Sequence, residues 1–467
     1  MPSADLVLPA PMSRVAVVAP TSGARACLVE LARAGCVEFT GNLPPPEGEA
    51  VEALRRLGGR RRTNGGEPAL LDRPPDLAAL ERDGRSRLLS GEIELQRHAR
   101  LGLPHHSFTA WLGWTPATEV GPLNERLTPL DSAVVELTPP PWAEPPTQLR
   151  PVPIEQPFRP LVQSYGTSRY RDVDPTLFTV VTFVVMFGMM FGDVGHGLLL
   201  ALIGLWLRRR RVGRFAGVSH LWVIVTAAGL SGAAFGLLYG EAFGPTGLVP
   251  TLWLDPVDEP IKLLVAALGV GAVMLTASYV LGIVNRWRGG GVREAVFAQF
   301  GVAGLVVLVG ALVVTGGGYF DLPAVVIGGA AVALVGLVLL AVGLVLDAGR
   351  GAAAVTQAVV EFVDAVIRLF SNVISFTRLA AFGLMHAAVG AIVFAAATAL
   401  WGGVAGAVAA ALVFVAGNAL AFALEGLVTG VQALRLEYYE LYSRVFAGEG
   451  HAFSPWTMPV LSSEEES

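Results

Sequence analysis

The run SNVISFTRLAAFGLMHA at residues 371–387 sets an arginine, Arg378, and a histidine, His386, inside a stretch otherwise apolar enough to cross a bilayer. Placing a charge at the bilayer centre costs at least about 2.5–3.5 kcal/mol on insertion scales, so such residues are functional candidates by default. Ser371, Ser375, Arg378 and Phe382 recur at i+3/i+4 spacing, which puts the polar groups on one helix face. The surrounding apolar segment covers about 357–398, and a second long one follows at about 403–444. Asn418, Glu425, Thr429, Gln432 and Arg435 form a matching polar stripe on that last segment.

Working outward, six more apolar segments precede these two, near 176–192, 197–212, 218–240, 261–285, 294–316 and 323–346. A helix needs about 20 residues to cross some 30 Å of hydrocarbon, so the expected fold is an α-helical polytopic membrane domain of about eight spans. The first two would form a tight hairpin around Gly192-Asp193-Val194-Gly195-His196-Gly197, the alternative being one long kinked helix. The last two exceed what a bilayer requires and must tilt or project into the cytoplasm. Basic residues give the orientation: RRRRVGR at 208–214, NRWRGGGVR at 285–293 and Arg350 fall in alternate loops, while the loops near 192–197, 240–260, 315–323 and 398–403 contain no Lys or Arg. That bias predicts a multi-pass cell-membrane protein with both termini cytoplasmic.

Composition agrees. Hydrophobic residues make up 53% of the 467-residue chain and charged ones only 15%, against about 25% in soluble domains. Residues 1–174 hold 21 Asp/Glu and 19 Arg, whereas the longer stretch 175–446 holds 13 Asp/Glu and 14 Lys/Arg. The first 150 residues read as a cytoplasmic α/β arm. Strands are expected at 13–20 and 36–40, a helix at 22–34, a linker at 43–75, one polar helix at 76–100, and further strands and a helix over 108–138. A Pro-rich connector covers 151–175, the ion-translocation domain 176–446, and a cytoplasmic tail 447–467. No signal peptide is expected, because Pro2, Asp5 and Pro9 interrupt the N-terminus. Net charge of −5 gives no basic surface for nucleic acid. Cys27 and Cys36 fit neither a disulfide framework nor a zinc site and read as reduced residues of a cytoplasmic fold. Lys262, the sole lysine, lies between Ile261 and Leu263, so the chain has no Walker A loop and is expected to be non-catalytic, with no cofactor.

Depth links the polar residues. His386 lies about 12 Å outward of Arg378 along one helix, and Glu425 about 15 Å outward of Arg435 along the next, at ~1.5 Å per residue. With the two arginines level, His386 and Glu425 meet on the outer side. Asp364 sits about 21 Å towards the cytoplasm, near Glu361. The layout is that of a proton path in two offset halves, with a fixed positive charge between them. Plainer readings stand beside it: a snorkelling or Glu425-paired Arg378, a packing His386, and Asp364 and Glu361 at the water boundary. Asp193 and His196 read either as a polar surface turn or as part of the path.

The run at 371–387 also resembles a motif of the large membrane stator subunit, called subunit a or subunit I, of V-type and A/V-type rotary ATPases. MFGMMFGDVGHG at 186–197, FGLLYGEAFG at 235–244 and EGLVTGVQALRLEYYELYSRVFAGEGHAFSPW at 425–456 agree with it, in the same order. The resemblance implies that Arg378 is the stator arginine, that Glu425 and His386 belong to the outer half-channel, and that Arg435 is the second arginine. It also implies that Asp364 stands at an acidic cytoplasmic position where Glu is usual. With Glu361, Ser375 and Gln432, these make the expected proton path. The implied partners are a rotor ring of small proteolipid subunits, peripheral stalk subunits, the soluble ATPase head through those stalks, and the lipid membrane. Relatives carry a long N-terminal coiled coil, of which only 76–100 could be a remnant here. A secondary transporter would instead show inverted repeats with broken helices, and none is evident. A non-transporting scaffold would leave the His386/Glu425 depth match unexplained.

Overall fold

Strand β1 (Met12–Pro20) buries Val15, Val17 and Ala19, and the chain then turns through a short 3-10 segment into helix α1 (Ala24–Ala34). The computed structural model describes residues 9–58, 67–140, 142–149, 162, 166–209, 221–349, 351–445 and 450–461. It divides into two units, one of residues 9–150 with 450–467 and one of residues 1–8 with 151–449.

In the first unit, β2 (Glu38–Phe39), β5 (Phe108–Pro116), β1 and β6 (Ala133–Leu137) form an antiparallel sheet in that order, with β4 (Leu103–His105) also on β5. Cys27, Leu28 and Leu31 of α1 and Leu123 and Leu127 of α5 (Val120–Leu127) pack with Val17, Ala19 and Trp111 of the sheet. Cys27 thus serves as a buried apolar residue, and burial pushes its thiol up to about 11. The stretch 43–75 is not all linker: it contains α2 (Glu49–Gly58), which buries Ala50, Val51, Ala53 and Leu57, and β3 (Leu70–Leu71). Its Pro- and Gly-rich flanks hid a short amphipathic helix. The helix expected over 76–100 is two, α3 (Leu77–Arg82) and α4 (Ser86–Ala99), separated at Gly84, whose φ of 70° ends a helical turn.

Residues 450–461 belong to this same unit. β7 (Val460–Leu461) pairs in parallel with β3, Thr147 bridges Ala452, and the Trp456 and Met458 amides donate to Val37 and Ala32 carbonyls. Trp456 stacks on His98 at 4.1 Å between ring centroids. Burial holds the His98 imidazole below its usual pKa, and its Nδ1 lies 2.8 Å from the Glu94 carbonyl. A lowered folded-state pKa means stability that is full above the unfolded value of about 6.5 and declines as pH falls below it. Amide protection factors of Trp456 and Met458 should therefore fall between pH 7 and pH 5, by at most about tenfold per pH unit. Constant protection would show that His98 does not govern this closure.

The second unit consists of α6 (Thr176–Met190), α7 (Val194–Arg209), α8 (Trp222–Tyr239), α9 (Pro260–Phe297), α10 (Val302–Tyr319), α11 (Pro323–Ala348), α12 (Ala352–Ser375), α13 (Thr377–Ala399) and α14 (Gly403–Leu436). Among the described residues, six stretches are long and apolar enough to cross a membrane: Trp222–Tyr239, Pro260–Gly289, Gly291–Tyr319, Pro323–Ala348, Ala352–Ala399 and Gly403–Val445. The first two apolar helices, of 15 and 16 residues, are shorter at about 22–24 Å each. The long apolar segments were legible from sequence, whereas six stretches rather than about eight reach spanning length among the described residues. α6 and α7 run in opposite directions and both pack on α8: Gly188 lies against Ser231, Gly197 against Gly229 and Ala233, and Gly204 against Thr226. The turn at 191–193 is thus a hairpin. The fifth segment, expected from about 294, is the stretch Gly291–Tyr319, set off from the preceding helix at Gly291 (φ 81°) and broken between Phe297 and Val302.

Candidate functional site

The long seventh segment is two helices. α12 ends at Ser375 and α13 begins at Thr377, with Phe376 at the joint and its amide donating to the Val373 carbonyl, a tightened final turn. Phe376 is 1% exposed and its ring lies over Gly271 of α9, where any Cβ would come within 2.3 Å of it. The joint is thus pinned by packing. Arg378 follows in the first turn of α13, half-buried, and its Nη1 donates to the Ser375 carbonyl at 3.4 Å.

Eight residues beyond Arg378 the two polar stripes converge, as the depth arithmetic required. His386 Nδ1 and Glu425 Oε2 are 2.5 Å apart, and both side chains are buried. Asp193 and His196 join them. Asp193 is the N-cap of α7: its Oδ1 accepts from the His196 amide at 2.8 Å and its Oδ2 from the Gly244 amide at 2.9 Å. The His196 and His386 rings meet edge to face at 5.5 Å between centroids, walled by Phe191, Phe243 and Phe422. Glu241, in the loop after α8, lies within electrostatic reach of His386, Asp193 and Glu425, and burial pushes its carboxyl up to about 8. Asp193 and His196 are therefore interior groups, not an exposed turn.

On the other side of Arg378, α14 passes into a π-helical stretch, Glu437–Tyr442, and a last turn, Ser443–Val445. A π turn inserts one residue into the helical repeat, and here Glu437, Glu440, Tyr442 and Arg444 all end up buried. Glu437 accepts from Thr182 Oγ1 at 2.7 Å, and Tyr442 shares a 2.6 Å hydrogen bond with Thr179. Ser375 reaches the Glu440 carboxylate, which also lies within electrostatic range of Arg444, Arg378 and Arg435. Arg444 is fully buried between Tyr279 and Phe300, 5.3 and 5.6 Å from their ring centres.

The remaining sequence candidates, Arg435 near Glu440 excepted, stand outside the contacts described above. Asp364 is exposed and accepts from Arg368 Nε at 2.6 Å; Glu361 is exposed and accepts from Gln357 at 2.9 Å. Arg435 is exposed, and Gln432 is half-buried with its Oε1 buried. Glu437, Glu440, Arg444 and Glu241 were not singled out from sequence, although all lie within quoted motifs. A helical wheel of strict 3.6 period misplaces residues beyond a π turn. For Glu241, the signal was a carboxylate in a loop otherwise of Gly, Ala and Phe.

Residues 106–287 match the sequence model of the V-type ATPase 116kDa subunit family. The chain is 28% identical over 371 residues to "A-type ATP synthase subunit I" of Pyrococcus horikoshii, covering 76% of this chain and 54% of that protein. It is 31% identical over 368 residues to the protein of the same name in Halobacterium salinarum, covering 64% and 49%. It is also 40% identical over 95 residues to "V-type ATP synthase subunit I 2" of Treponema pallidum, covering 20% and 21%. The chain spans about half the length of the long-matching relatives. These matches bear out the resemblance carried by the motifs: over its matched part, the chain is a relative of the V-type ATPase 116kDa subunit family and of subunit I of the A- and V-type ATP synthases.

Proposed function

We propose that this chain is the membrane stator subunit of a V/A-type rotary ATPase, providing two offset proton half-channels against a rotor ring. The observation that carries the reading is Arg378, half-buried at a helix joint, with the His386–Glu425 cluster on one side and the Ser375–Glu440 cluster on the other. The outer half-channel runs past Glu425, His386, Asp193 and His196. The inner one runs past Ser375 and Glu440, with Gln432 and Arg435 beside it and Asp364 and Glu361 at its exposed mouth.

No covalent chemistry is asked of this chain. A ring carboxylate must be neutral to face lipid and charged to meet water. A guanidinium stays protonated at any relevant pH, so it pairs with the charged form and cannot itself relay the proton. It lowers the carboxylate's pKa locally and blocks a direct leak between the halves. The exposed apolar residues of α12 and α14, among them Val360, Ile367, Ile374, Leu420, Leu424 and Leu427, supply a surface that a hydrophobic ring can face. The peripheral stalks and soluble head are the partners that would carry ATP chemistry, and both termini would lie in the cytoplasm.

The reading is tested in purified complex reconstituted into vesicles, where ATP addition should acidify the lumen and a small hydrophobic ring protein should co-purify. Glu425→Gln should slow acidification by about 100-fold, the lower end for losing a positioned proton-transfer group, with residual coupling. Full-rate transport by this variant would remove Glu425 from the path.

A further inference from the structure

We propose that Asp193, His196 and His386 form a binding site for a single first-row divalent metal ion, zinc foremost, with Glu425 positioning His386.

Each residue offers one ligand atom, and these atoms lie within 4.8 Å of one another. Their relative exposures are 0%, 2% and 5%, so the donors sit in the interior, away from the surface where acidic groups gather by chance. A tetrahedral zinc with bonds of about 2.0–2.2 Å needs each donor to move inward by no more than about 0.8 Å. That is within the range of small side-chain rotations.

The second observation concerns His196. Both of its ring nitrogens are buried and neither makes a well-aligned hydrogen bond, although Asn418 lies alongside. A buried polar group left so costs free energy and is uncommon in native interiors. His196 Nδ1 lies 3.9 Å from Asp193 Oδ1 and its ring 5.5 Å from that of His386, and a metal among the three would satisfy it. The other two donors are already oriented. Backbone amides of His196 and Gly244 hold the Asp193 oxygens and leave them lone pairs for a cation. Glu425 against His386 Nδ1 leaves Nε2 to ligate, which is the carboxylate–histidine–metal arrangement that fixes ring orientation and raises ligand basicity. Phe191, Phe243 and Phe422 pack against the imidazoles and hold their rings in place. Three carboxylates, Asp193, Glu241 and Glu425, act on His386, and a divalent cation offsets that negative charge. Two imidazoles and a carboxylate suit zinc over magnesium or calcium, which take oxygen ligands.

Binding stands independently of the proposed transport role. One consequence rests on it: a metal on His386 would occupy the outer half-channel and stop transport.

The test uses the purified full chain in detergent, in a background where the other histidines that could chelate, His105, His106, His220 and His451, are replaced by Gln. Calorimetric titration with Zn2+ alone should give one ion per chain with a dissociation constant of about micromolar or below. Co2+ should give the visible absorption of a tetrahedral site. His196→Gln and Asp193→Asn should each weaken Zn2+ at least about tenfold, and Glu425→Gln by about 10- to 100-fold. Zn2+ should raise the melting temperature of the parent and not of His196→Gln, while metal-free melting stays comparable. Equal Zn2+ affinity in the parent and in both His196→Gln and Asp193→Asn overturns the site, as does no binding by the parent. In vesicles, micromolar Zn2+ should block acidification by the parent complex. Zinc that binds without slowing acidification supports the site and overturns the place of His386 on the path.

Discussion

Replacing Arg378 with alanine should abolish ATP-driven acidification in reconstituted vesicles, a loss of at least about 100-fold, while the complex still assembles. The size of the effect follows from what the side chain is asked to do. A ring carboxylate surrounded by lipid has a strongly raised pKa, and only a nearby permanent cation makes it release its proton into a narrow polar path. The one hydrogen bond that the described residues offer Arg378 is long, at 3.4 Å to the Ser375 carbonyl, so its remaining donors are available for such a partner. Removal should spare the fold, because Arg378 is not a core residue and the joint is held by Phe376 on Gly271. Arg378→Lys should also fail, since a half-buried ammonium can lose its proton where a guanidinium cannot. Dye-monitored acidification, with co-purification of the ring as the assembly control, decides the matter. Acidification at the normal rate by Arg378→Ala would falsify the stator reading.

The second large effect concerns the fold. A Cβ on Gly197 would lie 2.3 Å from the Ala233 nitrogen and 2.7 Å from the Gly229 oxygen. Reciprocally, a Cβ on Gly229 would lie 2.4 Å from the Ala201 nitrogen, and one on Gly236 would lie 2.3 Å from the Val194 nitrogen. Helices α7 and α8 thus touch backbone to backbone through a stripe of small residues. Gly197→Leu has no flexible side chain to displace and must separate the helices, costing about 3 kcal/mol or more, the upper end for overpacking. Monodisperse protein in detergent should fall several-fold and the melting temperature with it. Gly269→Leu, where nothing lies within 4 Å, should leave both unchanged. Equal behaviour of the two variants would show that close approach of α7 and α8 is dispensable.

The readable parts of this molecule were those governed by one-dimensional rules. Apolar length located the long membrane segments, and rise per residue brought His386 and Glu425 to one level, where they now stand in contact. The GDVGHG run at 192–197 marked a turn. What escaped depended on partners far away in sequence. Asp193 looked like a surface turn until the Gly244 amide and the His386 ring, 51 and 193 residues further on, closed over it. Glu437 and Glu440 lie within a π-helical stretch, where the 3.6-residue register of a helical wheel no longer holds. Short segments were also lost to composition: α2 carries its apolar face in ten residues between Pro- and Gly-rich stretches, too few for periodicity to stand out.

The return of residues 450–461 to the first unit has a mechanical consequence. A body joined to another by one strand of polypeptide can swivel about that strand, and peptide bonds on either side offer little resistance to torque. Here the chain leaves the first unit after residue 150 and re-enters it at 450, so the membrane unit is tethered at both of its ends. A single cut in one of these passages would leave the other still joining the two units. Any load applied sideways to the membrane unit is then shared between two covalent attachments, one of them anchored by the pairing of Leu70 and Leu71 with Val460 and Leu461.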